Sequence, residues 1–342
     1  MPSPETDKYS PSYVTERQPL GRVLPLAAPY LVLLDASEAC NFKCAYCFRG
    51  DEAAAARQSG RSYARAGRLM TWETFTRAVD QLLEFTAPVK KISLSGHGEP
   101  LVNRRLPQMV RYIKDRGLTC PVEIHTNGSL LDEDFADDLA DSGIDRVILS
   151  IQGVNAEAYR KNAGVGLDFD LFLRRLARFH QRRRHTLVYA KTVDACLAPG
   201  EEDLFVDIFA QVADRVFIEK ALPLWKGQEN QAPGPVNKFN QAVARLHCCS
   251  LVFYTLLVAP DGAIHPCTQP EIAFDLGNVG TTTLSAAWNS PTRRDFLIRH
   301  LRDGREALPD CADCYIAQNS IMTEDDLIDQ YRGDILRRMR EE

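Results

Sequence analysis

From Tyr30 onward the chain alternates between short apolar runs and longer stretches whose apolar residues recur every three or four positions. The runs YLVLLD (30–35), KKISLS (90–95), PVEIHT (121–126), RVILSI (146–151), TLVYAKTV (186–193) and RVFIEK (215–220) have the length and β-branched content of buried strands. The segment after Thr71 reads as a helix with Thr71 as its N-cap and Trp72, Phe75, Val79, Leu82 and Leu83 on one face. Further helices are predicted near Leu106–Arg116, Asp132–Ser142, Phe169–Arg183 and Glu202–Ala213. Every strand but the last is followed by a helix. Such alternation implies a parallel sheet, because right-handed crossovers lay each helix on the sheet's face. Six units fall short of the eight that close a barrel. The expected fold is therefore α/β, an open and curved (β/α)6 partial barrel over residues 30–221, with its chemistry on loops at the C-terminal ends of the strands.

Residues 1–29 hold several prolines and little periodicity, and read as an extended arm. Periodicity is lost again over 222–238, where Pro, Gly, Asn and Gln gather as in a linker. Residues 239–342 read as a small cysteine-rich module, with a short helix to His247 and a charged helix near Glu324–Arg340. At 45% hydrophobic and 25% charged residues the composition is that of a soluble globular protein. The polar first residues carry no signal-peptide core and Leu31–Leu34 is too short to span a bilayer. A cytoplasmic protein with no membrane partner is expected. A net charge of −5 argues against a nucleic-acid partner, and the basic run Arg182–His185 reads as the solvated end of a helix.

Ten cysteines change this picture. Disulfides are disfavoured in a reducing compartment, so clustered cysteines point to metal or redox chemistry. Cys120 and Cys196 stand alone and read as small buried apolar side chains. The others fall in two groups. The first, Cys40-Asn-Phe-Lys-Cys44-Ala-Tyr46-Cys47, follows the first strand. Three thiolates there can grip one iron–sulfur cube and leave its fourth iron open to an external ligand, whereas structural zinc wants four ligands. The second strand ends in Ser95-Gly96-His97-Gly98-Glu99-Pro100. Glycines in such a turn admit a ligand close to the backbone, and a carboxylate can accept from an ammonium group.

The C-x3-C-x2-C spacing, the aromatic before its last cysteine and the Gly-Glu-Pro turn one strand later resemble the signature of radical S-adenosylmethionine (SAM) enzymes. That resemblance implies a SAM-binding [4Fe-4S] cluster on Cys40, Cys44 and Cys47, a 5′-deoxyadenosyl radical, and an electron donor such as flavodoxin or ferredoxin. It also implies Tyr46 near the adenine, and Gly96, His97, Gly98, Glu99 and Pro100 at the SAM amino group, with His97 where the family's motif has its first glycine. Thr126, Asn127, Ser150 and Gln152 are then expected to contact ribose or the SAM carboxylate, and Lys191 and Glu219 to line the pocket.

The second group comprises Cys248-Cys249, Cys267 and Cys311-Ala-Asp-Cys314, with Asp261-Gly262 well suited to a hairpin turn. It resembles the SPASM auxiliary module in its shorter twitch form. Five cysteines suffice for one auxiliary [4Fe-4S] cluster, expected on Cys248, Cys267, Cys311 and Cys314; a zinc ribbon on the same residues is the alternative. Neighbours on an extended chain point to opposite sides, so one of Cys248 and Cys249 is left over. Cys249 is expected to be that free thiol, although its distance to Gly262 and Cys267 also suits a ligand. A free thiol can return a hydrogen atom to a carbon radical. This arrangement resembles radical SAM epimerases, and implies inversion of a sugar carbon in an aminoglycoside, of the neomycin C to neomycin B type, with Cys249 as catalytic donor. The alternative is a twitch-type dehydrogenase oxidising a secondary alcohol of an aminocyclitol or sugar. A third reading is a non-catalytic iron–sulfur or zinc protein. The 39 residues before Cys40 leave little room for a leader-peptide domain, which favours a small aminoglycoside or aminosugar substrate. Its positive charge predicts carboxylates in the cavity.

Overall fold

A computed structural model describes residues 18–50, 67–223, 235–243, 245–269, 272–312, 314–322 and 325–341. Each of the six apolar runs forms a strand: β1 Leu31–Leu34, β2 Lys91–Ser93, β3 Val122–Thr126, β4 Arg146–Ser150, β5 Leu187–Val193 and β6 Arg215–Glu219. They lie side by side in the order β6-β5-β4-β3-β2-β1, all parallel. The crossovers carry α1 Trp72–Leu82, α2 Leu106–Asp115, α3 Glu133–Ala140, α4 Ala156–Ala163, α5 Phe169–Arg182 and α6 Glu202–Phe209. The expected partial barrel is present.

Strand side chains alternate between two faces. Val32, Ile92, Ile124, Val147, Val188 and Ile218 share one buried cluster with Phe75, Ile113, Leu139, Leu176 and Phe205 of the helices. Each such side chain contributes about 1.5–3 kcal/mol by leaving water. The alternate positions, among them Glu123, His125, Arg146, Ile148, Tyr189, Lys191, Phe217 and Glu219, are left to the inner face. Thr71 caps α1 as its sequence suggests, accepting from the Thr74 amide at 3.1 Å. Leu83 does not join the apolar face; it is the C-cap of that helix and is exposed.

Three features differ from expectation. Helix α4 has too few apolar residues for a helical stripe, and only its Asn155 N-cap and its left-handed Gly164 terminus (φ +67°) announce it. The short helix to His247 is absent, for residues 235–243 and 245–247 are non-helical. The charged C-terminal helix, α8, begins only at Arg332 and runs to Glu341.

The C-terminal module is continuous with the barrel sheet. Its strand β7, Thr255–Val258, pairs in parallel with β1, and β8, Ile264–His265, folds back on it antiparallel. Asp261-Gly262 lies in the connecting turn, with Gly262 at φ +87°. A second core forms where α7, Pro291–Asp303, and α8 pack with Val252 and Phe253. Leu20 and Leu24 join this core, so the described part of the N-terminal arm is docked rather than loose. Among the described residues no helix is long and apolar enough to cross a membrane.

Ile92 sits fully buried at the centre of the shared cluster. Ile92→Ala should lower unfolding free energy by about 2–5 kcal/mol, read from urea unfolding of the purified chain.

Candidate active site and auxiliary cysteine cavity

The loop after β1 carries Cys40, Cys44 and Cys47 at the C-terminal end of the sheet. Backbone groups left unpaired at the end of α4 hold this loop: Ala163 O accepts from Lys43 N and Asn162 O from Ala45 N, both at 2.9 Å. The thiols face one another closely enough to repel each other as thiolates. Burial pushes the Cys40 thiol up to about 11, with smaller contributions from Glu99 and Cys47. Burial, then Cys47 and Cys40, push Cys44 higher still. Such thiols ionise when a cation takes the protons' place, which is what iron supplies.

The turn after β2 closes on this loop. A Cβ at Gly98 would lie 2.3 Å from Ser37 O and 2.4 Å from Ala39 O, so only glycine permits the approach. Glu99 N then donates to Ala39 O at 2.8 Å. The Glu99 carboxylate is buried and accepts from Thr126 Oγ1 at 2.5 Å, Asn127 N at 2.7 Å and Leu101 N at 3.0 Å. Burial nonetheless pushes it up to about 7, the three donors only partly opposing. An ammonium group beside this carboxylate would restore the balance, and the site fits one.

Other expected cofactor contacts are brought together, several with a different task. Thr126 and Asn127 serve Glu99, and Asn127 Nδ2 also donates to Asn41 Oδ1 in the cysteine loop at 2.9 Å. Tyr46 reaches Gln152 and Cys44. Gln152 donates to the Ser150 carbonyl at 3.0 Å. Gly96 is pressed against the Asp35 carboxylate, and Pro100 opens a buried turn capped by Glu99. His97 projects away from the Glu99 pocket. Its Nδ1 lies 3.1 Å from Asp35 Oδ2 and its Nε2 2.9 Å from the Thr268 carbonyl, which links this turn to the residue after Cys267.

On the inner face, Lys191 Nζ meets Glu219 at 2.9 Å, and Lys238 Nζ meets the same carboxylate at 3.2 Å. Burial raises Glu219, but the two lysines outweigh it and bring it down to about 2. Glu123 is likewise held between Lys91 and Arg146, each at 2.9 Å.

In the C-terminal module, Cys249, Cys267, Cys311 and Cys314 line one cavity. The expected arrangement, Cys248 at the cluster and Cys249 as the free thiol, is reversed in position. Cys249 faces the other three, whereas Cys248 is outside that lining, buried, and donates to the His300 carbonyl at 3.2 Å. The chain leaves Cys248 toward the turn Leu251–Tyr254, whose Leu251 and Val252 amides stabilise the Cys249 sulfur. Burial and Cys314 still push Cys249 up to about 12. None of the ten cysteines is joined in a disulfide, and among the described residues no three His, Cys, Asp or Glu side chains form a site for a single ion. Four thiols spread around one cavity fit a cube ligated wholly by cysteine.

Sequence reasoning missed Asp35, Asn41, Lys238, His300 and Arg305, all of which support these sites. Asp35 had a signal, a lone carboxylate ending an apolar strand; the others are distant in sequence from what they serve.

The position of Glu99 predicts a pH effect in the cofactor-free protein. An unfolded carboxyl titrates near 4.5 and this folded one near about 7, so the folded chain holds the extra proton between them and stability falls as pH rises through that window. Glu99→Gln removes the effect. Its unfolding free energy relative to wild type should rise by about 3 kcal/mol between pH 4.5 and 8, measured by urea unfolding in a pH series.

Comparison with known proteins agrees with this geometry. The radical SAM superfamily model matches residues 35–203, and the iron-sulfur cluster-binding SPASM domain matches residues 248–315. A protein of Methanococcus maripaludis named probable GTP 3′,8-cyclase is 38% identical over 122 residues, 36% of each chain. The match thus spans about a third of that relative's length. The crystal structure of BtrN in complex with AdoMet and 2-DOIA superposes with a TM-score of 0.55 at 18% identity, covering 88% of this chain and 97% of BtrN. Streptococcus suis SuiB bound to precursor peptide SuiA gives 0.60 at 16% identity, over 86% of this chain and 71% of SuiB. Both share the fold. The cofactors of such a chain are SAM, a [4Fe-4S] cluster and auxiliary iron–sulfur chemistry. A three-cysteine loop closed by a cation-seeking carboxylate, beside a four-cysteine cavity on the same sheet, belongs to an enzyme of the radical SAM superfamily with a C-terminal SPASM module, and this chain is a member of that family.

Proposed function

We propose that this enzyme removes a hydrogen atom from a hydroxyl-bearing carbon of a small sugar or cyclitol and completes the reaction as an oxidation. When bound, SAM and the cluster on Cys40, Cys44 and Cys47 supply a 5′-deoxyadenosyl radical, and the auxiliary cluster supplies a one-electron acceptor. Loss of that hydrogen atom, of the hydroxyl proton and of one further electron turns a secondary alcohol into a ketone. Glu99 orients the SAM ammonium, Thr126 and Asn127 hold Glu99, and Tyr46 and Gln152 border the adenosyl side. A donor such as flavodoxin or ferredoxin supplies the initiating electron, and ten cysteines without a disulfide suit a reducing compartment such as the cytoplasm.

The seating of Cys249 with Cys267, Cys311 and Cys314 carries this reading. With Cys249 among the ligands and Cys248 sealed against His300, neither is left to return hydrogen to a substrate radical. Epimerisation of an aminoglycoside, of the neomycin C to neomycin B type, is the second reading, favoured by the adjacency of the two thiols. It requires Cys249 to leave the cavity and Cys248 to turn into it. The inner-face carboxylates Glu123 and Glu219 each already face two cations. A polycationic aminoglycoside gains little from them, and a substrate of lower positive charge is better matched.

Anaerobic incubation with SAM, reductant and either a deoxyaminocyclitol or neomycin C tests both readings. The expected result is ketone formed together with 5′-deoxyadenosine, unchanged in Cys248→Ala, while Cys249→Ala loses the auxiliary iron and the ketone. An inverted, solvent-labelled carbon whose formation stops in Cys249→Ala, with both clusters' iron intact, would overturn oxidation in favour of epimerisation.

A further inference from the structure

Arg305 lines the four-cysteine cavity and is only 5% exposed. Its guanidinium donates to three backbone carbonyls: Leu246 at 3.3 Å, Cys311 at 3.1 Å and Cys314 at 2.6 Å. None of these partners is charged. Among the described residues Arg305 forms no ion pair, in contrast to Arg245 nearby, which is exposed and paired with Glu306. A buried cation held by carbonyls alone carries an unrepaid desolvation cost. Two of those carbonyls belong to cysteines of the cavity, which fixes the charge against the thiols' own backbone.

A second group has the same polarity. His300 is fully buried between Phe296 and Phe253, and its Nε2 lies 3.6 Å from Cys311 Sγ while Nδ1 has no partner. A thiolate cannot donate, so a metal-bound Cys311 leaves Nε2 as the N–H that points at sulfur.

We propose that Arg305 is the counter-ion of the auxiliary cluster and raises its reduction potential. The inference rests on the reading that these four cysteines hold one cluster. Four thiolates around an iron–sulfur cube leave it negative, and reduction adds one more negative charge. A fixed cation in a buried site stabilises the more negative state with little screening by salt, and potential follows net charge and hydrogen bonds to sulfur. A raised potential is what an electron acceptor needs. Arg305 is a positioning residue in this sense: it touches no substrate and acts through the cluster's charge.

The test is an EPR-monitored redox titration of the reconstituted holoenzyme, without substrate, for wild type, Arg305→Lys and Arg305→Gln. Arg305→Gln should shift the oxidised-to-reduced ratio of the auxiliary cluster about tenfold at a given potential, a midpoint lower by about 59 mV for one electron. Arg305→Lys should stay at the wild-type midpoint, and the SAM-binding cluster should not move in either. Loss of auxiliary iron in Arg305→Gln but not in Arg305→Lys supports the same requirement for charge. The proposal is overturned if Arg305→Gln keeps its iron at an unchanged midpoint, if Arg305→Lys shifts as far, or if both variants lose the iron. Since no substrate is present, the outcome stands apart from whether the product is a ketone or an epimer.

Discussion

Strand β1 pairs in parallel with β2 on one side and β7 on the other, with Leu31 opposite both Lys91 and Thr255. This ladder sets the geometry of everything chemical in the molecule. The chain leaves β1 into Cys40–Cys47, leaves β2 into Gly96–Pro100, and turns from β7 through β8 to Cys267. Asp35 N extends the pairing by donating to Val258 O at 2.9 Å. The placing of the first cysteine loop relative to Cys267 thus rests on backbone hydrogen bonds within one sheet. His97 adds a second tie, since its ring spans from Asp35 to the Thr268 carbonyl. The family's glycine at that position has no side chain to do this. In this chain the Gly-Glu-Pro turn is fastened directly to the loop after Cys267.

Charge inside the protein sorts the sites by purpose. Glu123 and Glu219 are buried but each is matched by two cations, so burial raises them and the cations bring both carboxyls well below their ordinary range. Such pairs are complete without a ligand. Among the described residues Glu99 has three neutral donors and no paired cation, and Arg305 has three carbonyls and no paired anion. Both are oriented, buried and unmatched in charge, and both border a cysteine group. An ammonium beside Glu99 and an anionic cluster beside Arg305 would each complete the local electrostatics, whereas Arg293, also buried and donating to three carbonyls, lies over the Trp288 ring instead.

Much of this was legible in one dimension because the signals were local. Six strands, the Thr71 cap, the C-x3-C-x2-C loop and the Gly-Glu-Pro turn depend on residues within a few positions of each other. Period-two and period-3.6 patterns record which face is buried, and the loop spacing records how thiols converge. Helix α4 escaped because its eight residues bury only Tyr159, Asn162 and Ala163, leaving caps as the only cue. Its role is nonlocal, for its last carbonyls hold the cysteine loop more than a hundred residues earlier in the chain.

The order of elements, the parallel sheet and the identity of the first cysteine site follow from the sequence by itself, since short-range sterics and burial decide them. Which of Cys248 and Cys249 faces the cavity does not follow. Alternation says only that the two side chains diverge; which goes where depends on the core packed around them, and that is assembled from residues as far apart as Leu20, Phe253, Leu301 and Ile335. The same holds for the union of the C-terminal module with β1, for the bridge made by His97 and for the lone charge of Arg305. Each is a contact between residues far apart in sequence, and only the folded chain brings their partners within hydrogen-bonding distance.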